Sequence, residues 1–214
     1  MFTHLVLSLI VAVAPVETTK NDPATSPSKL TVALIGSDKN GNDKEITLEV
    51  KKLAKEMDTS KVRLIYDGGG AGIRYFFVQE FKSRGGEVVA YRNEKEKFKT
   101  PDAIASRIFQ NDSERMQQMY NDSDLFLVLP GGIETIAEMS FVIDQNATKE
   151  KALRPLVVFD INGYFGRFFQ FIEFVEKQGF MDHKRLFKRS VKQEKEITKV
   201  LSQIYFESKK VKKG

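Results

Sequence analysis

Five short apolar runs, each followed by a stretch of helical spacing, decide the fold class of this 214-residue chain. They are LTVALIG (30–36), VRLIYD (62–67), GEVVAY (86–91), DLFLVL (124–129) and PLVVFDI (155–161). Continuous β-branched runs of this length are the mark of strands buried on both faces. After the first run, Ile46, Val50, Leu53, Ala54 and Met57 recur at helical spacing, with Lys and Glu between them. Further helices are predicted over 72–84, from a cap at Asp112 or Ser113 to about Asn121, and over 133–143, 165–178 and 192–206. RNEKEKFK (92–99) reads as an exposed loop. Alternating strands and helices mean βαβ units. The expected fold is α/β: a Rossmann-like, doubly wound, mostly parallel sheet with helices on both faces.

The chain divides into three parts. Residues 1–29 hold an apolar run, Leu5 to Ala14, and a linker, VETTKNDPATSPSK. The run is too short to span a bilayer as a helix but has the length of a signal-peptide core. No Lys or Arg precedes it, and Pro15 follows its Ala-Val-Ala triplet, so a cytoplasmic location is favoured, with a signal peptide or anchor as the alternative. Residues 30–183 form the expected Rossmann-like domain. Residues 184–214 form a basic amphipathic helix and tail.

Composition narrows the chemistry. With no Cys there is no cysteine nucleophile and no thiolate metal site. With His4 and His183 as the two histidines, a multi-histidine metal centre is not expected. The net charge of +5 carries no message about nucleic acid, because it is local. Residues 184–214 hold 11 Lys or Arg against 3 Glu, which leaves the first 183 residues at −3.

Open parallel sheets bind ligands at the carboxyl ends of their strands. The residues there are Gly36-Ser37, Asp67-Gly68-Gly69-Gly70-Ala71-Gly72 and Pro130-Gly131-Gly132-Ile133-Glu134-Thr135. Glycine lets the backbone approach a ligand, and the helix that follows presents N–H groups to an anion. Neither glycine-rich turn is a P-loop, since no Lys-Ser or Lys-Thr follows. No ribose-binding acid stands at dinucleotide-enzyme spacing. Thr135 and Glu138 lie on the first turns of one helix, and Arg115 near the start of the preceding one is a candidate anion clamp.

In this order the pieces resemble the LOG family, formerly called lysine decarboxylase-like, over about residues 31–180. The family's PGGxGTxxE motif is matched at Pro130, Gly131, Gly132, Thr135 and Glu138, and its glutamate-arginine helix start at Glu114-Arg115, with Met119 one turn on. Gly36-Ser37, Gly68-Gly69 with Gly72, Ser83 to Val89 and Asn162 to Phe165 are further matches. The resemblance implies hydrolysis of the N-glycosidic bond of a nucleoside 5′-monophosphate, of AMP or cytokinin riboside monophosphate type, to free base and ribose 5-phosphate. It implies Arg115 and Glu138 as the catalytic pair, with the nucleotide held by Gly36, Ser37, Gly68, Gly69, Gly72, Met119, Gly131, Gly132 and Thr135. It also implies a homodimer and no cofactor, while composition and the placing of the charge lead to the expectation of no metal and no specific nucleic acid. Membrane association would rest on residues 5–14.

Three positions depart from the family pattern. Glu134 and Asp67 replace glycines, and Met116 replaces a lysine. Each misplaced charge a few ångströms from a phosphate costs about 1–4 kcal/mol at intermediate dielectric. Two expectations follow: a phosphoribohydrolase or nucleosidase of altered preference, or a non-catalytic nucleotide-binding or sensing protein. The retained Arg115 and Glu138 favour the enzyme.

Overall fold

The structure is a computed structural model that describes residues 29–95, 100–101, 103–148, 153–181 and 188–211. Both histidines and the apolar run at 5–14 lie outside the described residues. Strands β1 (Leu30–Ile35), β2 (Val62–Tyr66), β3 (Glu87–Asn93), β4 (Ala105–Phe109), β5 (Leu125–Val128), β6 (Leu156–Phe159) and β7 (Lys188–Val191) form one sheet in the order β4-β3-β2-β1-β5-β6-β7. Every pairing is parallel. From β1 at the centre, the chain winds out to β4 and then returns to build β5, β6 and β7 on the other side. The order of strand addition therefore reverses between β1 and β5, the topological switch point of such folds.

Side chains alternate along each strand and feed two cores. In β1, Leu30, Val32 and Leu34 face one layer, and Ala33 and Ile35 the other. The first layer is covered by α1 (Lys44–Glu56), α2 (Gly72–Ser83) and α6 (Glu196–Val211), through Val50 and Leu53, Phe77 and Phe81, and Ile197 and Leu201. The second is covered by α3 (Asp112–Asp122), α4 (Ile133–Thr148) and α5 (Gly166–Lys177), through Met119 and Tyr120, Met139 and Val142, and Phe169.

All five expected strands are present. β4 and β7 are additional, and both are edge strands of mixed polarity. Ser106 and Ile108 of β4 are exposed, and β7 reads KRSV with one buried residue, Val191. Neither carries the continuous apolar run that a buried strand shows. β7 pairs with β6, and α6 packs on the first core, so described residues after 187 belong to the same sheet and core as the body. β3 runs on to Asn93, which takes Arg92 and Asn93 out of the predicted loop.

Helix α3 is capped by Asn111, not by Asp112 or Ser113. Its Oδ1 accepts the Glu114 N–H at 2.9 Å. Asp112 is thereby freed to turn toward Arg115. Helix α1 begins two residues before Ile46, under the cap of Asp43, whose Oδ1 accepts the Glu45 N–H at 2.8 Å. Helix α4 runs five residues beyond the predicted end, to Thr148. No described helix is long and apolar enough to cross a membrane.

Candidate active site

A cleft of about 560 Å³ opens at the carboxyl ends of the central strands. Its floor comes from Asp67, Gly69, Gly70 and Ala71, which follow β2, and from Arg74 on α2. Asp38 after β1 borders it. The opposite wall is built by Asp112, Ser113, Arg115 and Met116 of α3 and by Glu134, Ala137, Glu138 and Phe141 of α4. The two walls rise from helices on opposite faces of the sheet.

Arg115 and Glu138 meet in this cleft. Arg115 Nη2 stands 3.5 Å from Glu138 Oε1, and both side chains are largely buried. The same guanidinium donates from Nε to Asp112 Oδ1 at 3.1 Å and from Nη1 to Met119 Sδ at 3.5 Å. Met119 thus props Arg115 from within the core. Burial pushes the Glu138 carboxyl up to about 7, because the apolar wall disfavours its charged form. Arg115 and Arg74 pull against that rise, and Asp67 adds to it. Burial works against the charge on Arg115, but the carboxylates of Glu138, Asp67 and Asp112 more than offset it, and its pKa is raised.

A second acid–arginine pair faces the first. Asp67 and Arg74 form a buried ion pair. Arg74 Nη1 also donates to the Gly36 carbonyl at 2.9 Å, and Asp67 Oδ1 accepts the Gly69 N–H at 3.0 Å. The acid at position 67 is therefore not the bare negative charge that the sequence suggested. Its charge is matched by Arg74, a residue the sequence reading passed over. A signal was available: Arg74 lies on the same face of α2 as the buried Val78 and Phe81. A cation in an apolar stripe requires an acid beside it.

The expected binding residues separate into two groups. Gly69 lines the cleft with Arg115 and Glu138, as do Asp67, Met116 and Glu134 at the departing positions. Met116 is also buried in the second core. Gly36, Ser37, Gly68, Gly72, Met119, Gly131, Gly132 and Thr135 are not among the residues that line it.

Several of these instead join the strand tips. The Ser37 N–H donates to the Pro130 carbonyl at 3.3 Å, and the Leu129 N–H to Ile35 at 2.9 Å. A Cβ at Gly131 would lie 2.0 Å from Thr135 Oγ1, and one at Gly36 would lie 2.9 Å from the Leu129 Cβ. Thr135 is buried. Tyr164 donates its hydroxyl to the Gly131 carbonyl at 3.0 Å. Gly72 has φ +74°, and a Cβ there would lie 2.0 Å from the Asp38 carbonyl carbon, so this glycine lets the β1 loop pass over the start of α2. Gly68 has φ +91°. Gly132 has open space on its Cβ side.

A doubly wound parallel sheet with a buried acid–arginine pair at its switch point defines a Rossmann-like α/β protein with a ligand cleft. The family model described as "possible lysine decarboxylase" matches residues 79–203, more than half of the chain. The chain belongs to this family, the LOG family. It is 31% identical over 134 residues to cytokinin riboside 5′-monophosphate phosphoribohydrolase LOG5 of Arabidopsis thaliana, covering 60% of this chain and 58% of the relative. It is 28% identical over 141 residues to the probable enzyme of the same name, LOGL9, of rice (Oryza sativa subsp. japonica), covering 64% and 62%. The matched part thus spans less than two thirds of either relative. Among solved structures, the Moco carrier protein of Chlamydomonas reinhardtii superposes with a TM-score of 0.63 at 15% identity, covering 84% of this chain and 99% of the other. The molybdenum cofactor binding protein of Rippkaea orientalis gives 0.59 at 12% identity, covering 82% and 97%. These two share the fold.

Proposed function

We propose that this protein hydrolyses the N-glycosidic bond of a purine ribonucleoside or ribonucleotide, releasing the free base. The observation that carries this reading is the Arg115–Glu138 pair, set in the cleft with the Glu138 carboxyl poised near neutral pH. The relatives' names, which specify a riboside 5′-monophosphate and a phosphoribohydrolase, support the same bond.

The chemistry follows from the pair. Breaking the bond between C1′ and the base nitrogen sends its electron pair to the base and leaves positive charge on the sugar. Ionised Glu138 faces that charge and takes a proton from the attacking water, whose oxygen bonds to C1′. A carboxylate with pKa about 7 is a stronger base than an ordinary one near 4.5. The proton passes to the departing base. Arg115 holds Glu138 in place at 3.5 Å and keeps part of its population ionised. Phe141 and Ala137 supply the apolar wall for a base.

A homodimer belongs to the same proposal. Phe171 and Phe174 of α5 and Phe180 just beyond it are 60%, 57% and 85% exposed, an apolar face suited to a second copy.

The test is chromatographic detection of adenine released from AMP and from adenosine by purified protein, with Glu138→Gln as control. Adenine release that depends on Glu138 supports the enzyme. Ligand binding without base release from either substrate would establish the non-catalytic binding protein instead.

A further inference from the structure

Resting on that reading, we infer that the cleft selects a ribonucleoside lacking the 5′-phosphate over its 5′-monophosphate. The cleft is acidic beyond its own needs. Its two guanidinium groups are each engaged by carboxylates: Arg74 by Asp67, and Arg115 by Asp112 and Glu138. Asp38 and Glu134 line the same cleft, which gives it a formal charge of −3 with every carboxyl ionised. Protonation of Glu138 lowers this only to −2. A phosphate dianion entering this field is repelled, whereas an uncharged nucleoside is not.

Backbone donors compensate only in part on the β2 side. A helix start binds phosphate by offering N–H groups without partners. Around the start of α2 three of these groups are already occupied. The Gly69 N–H is taken by Asp67 Oδ1, the Ile73 N–H by the Lys39 carbonyl at 3.3 Å, and the Arg74 N–H by the Ser37 carbonyl at 3.1 Å. At the start of α4, the second helical residue is Glu134, which is exposed and turned to the cleft. A carboxylate there occupies the favourable end of the helix dipole that a phosphate would use. At both helix starts that face the cleft, from β2 and β5, groups of the chain itself thus compete with a phosphate.

The experiment measures kcat/KM for adenosine and AMP side by side at pH 7, and calorimetric affinity for both on the Glu138→Gln variant, in the wild-type background and with Glu134→Gly. Adenosine is expected to exceed AMP by about tenfold or more in kcat/KM and in affinity. Glu134→Gly is expected to shift the ratio toward AMP by about fivefold, and 0.5 M salt to shift it the same way. Circular dichroism confirms that the variants fold. AMP equal to or better than adenosine, or a ratio indifferent to Glu134→Gly, would overturn the inference. If neither substrate releases adenine, the catalytic proposal fails and the affinities decide this one: tighter adenosine upholds it, while tighter AMP, or no binding of either, overturns it.

Discussion

Glu138→Gln turns the buried carboxyl into a measurable dependence of stability on pH. In the unfolded chain the group titrates near 4.5, and in the fold near 7. The folded state therefore keeps a proton that the unfolded state has lost. The resulting stabilisation is fully present below about pH 4.5 and is lost as pH rises through 7. A displacement of about 2.5 units at ~1.4 kcal/mol per unit gives about 3 kcal/mol. Since the side chain is only 14% exposed, solvent screening removes little of this. Glutamine has no proton to lose, so the variant lacks this contribution to the slope. The stability of Glu138→Gln minus that of the wild type should rise by about 3 kcal/mol between pH 4.5 and 8, most steeply from 5 to 7. The intercept depends on how glutamine meets Arg115, but the slope does not. Urea denaturation at half-unit pH steps, with equal m-values for the two proteins, measures it. Parallel curves, differing by a constant within about 1 kcal/mol, would refute the burial argument for Glu138.

Four other outcomes follow. With Glu138 as base, kcat/KM should climb with pH and level off above about 7, and a profile that falls through 7 would assign the residue as a proton donor instead. Arg115→Met should lower kcat by about 10²-fold or more and move that limb to higher pH, because the cation that holds the Glu138 pKa down is gone; steady-state kinetics read both effects. Asp67→Asn should destabilise the fold by about 3–5 kcal/mol by leaving Arg74 buried without its counterion, and the double variant with Arg74→Met should recover much of the loss in chemical denaturation. Phe171→Asp with Phe174→Asp should yield a monomer by light scattering, with the circular dichroism spectrum unchanged.

The layering of the fold was legible because it is a matter of apolar periodicity. All five buried strands announced themselves as continuous runs, whereas the pairing of Arg115 with Glu138 was implied by the family resemblance. What escaped has a common cause. Edge strands β4 and β7 bury one face poorly and so lack the run that marks a strand. The Asp67–Arg74 pair joins residues seven apart across a turn, and its partner could be found only by asking what a cation in the stripe of α2 needs. The tight junction of Gly36, Ser37, Gly131 and Thr135 depends on how two strand tips meet in space, which glycine spacing alone does not report. Likewise, the Asn111 cap was hidden by two equally good capping residues just after it.

The two acid–arginine pairs bear on how the molecule assembles. Asp67 and Arg74 both belong to the unit that runs from β2 into α2, whereas Arg115 and Glu138 both belong to the unit that runs from α3 through β5 into α4. Each half can gather its buried arginine and matching acid before the other half arrives. Neither must carry an uncompensated charge into a forming core while it waits for a distant partner, a burden that would cost several kcal/mol per ion. The cleft is then made by docking two units whose pairs are already closed. Its recognition field is left to acids that hold neither arginine, Asp38 and Glu134, which evolution can alter without disturbing the fold beneath.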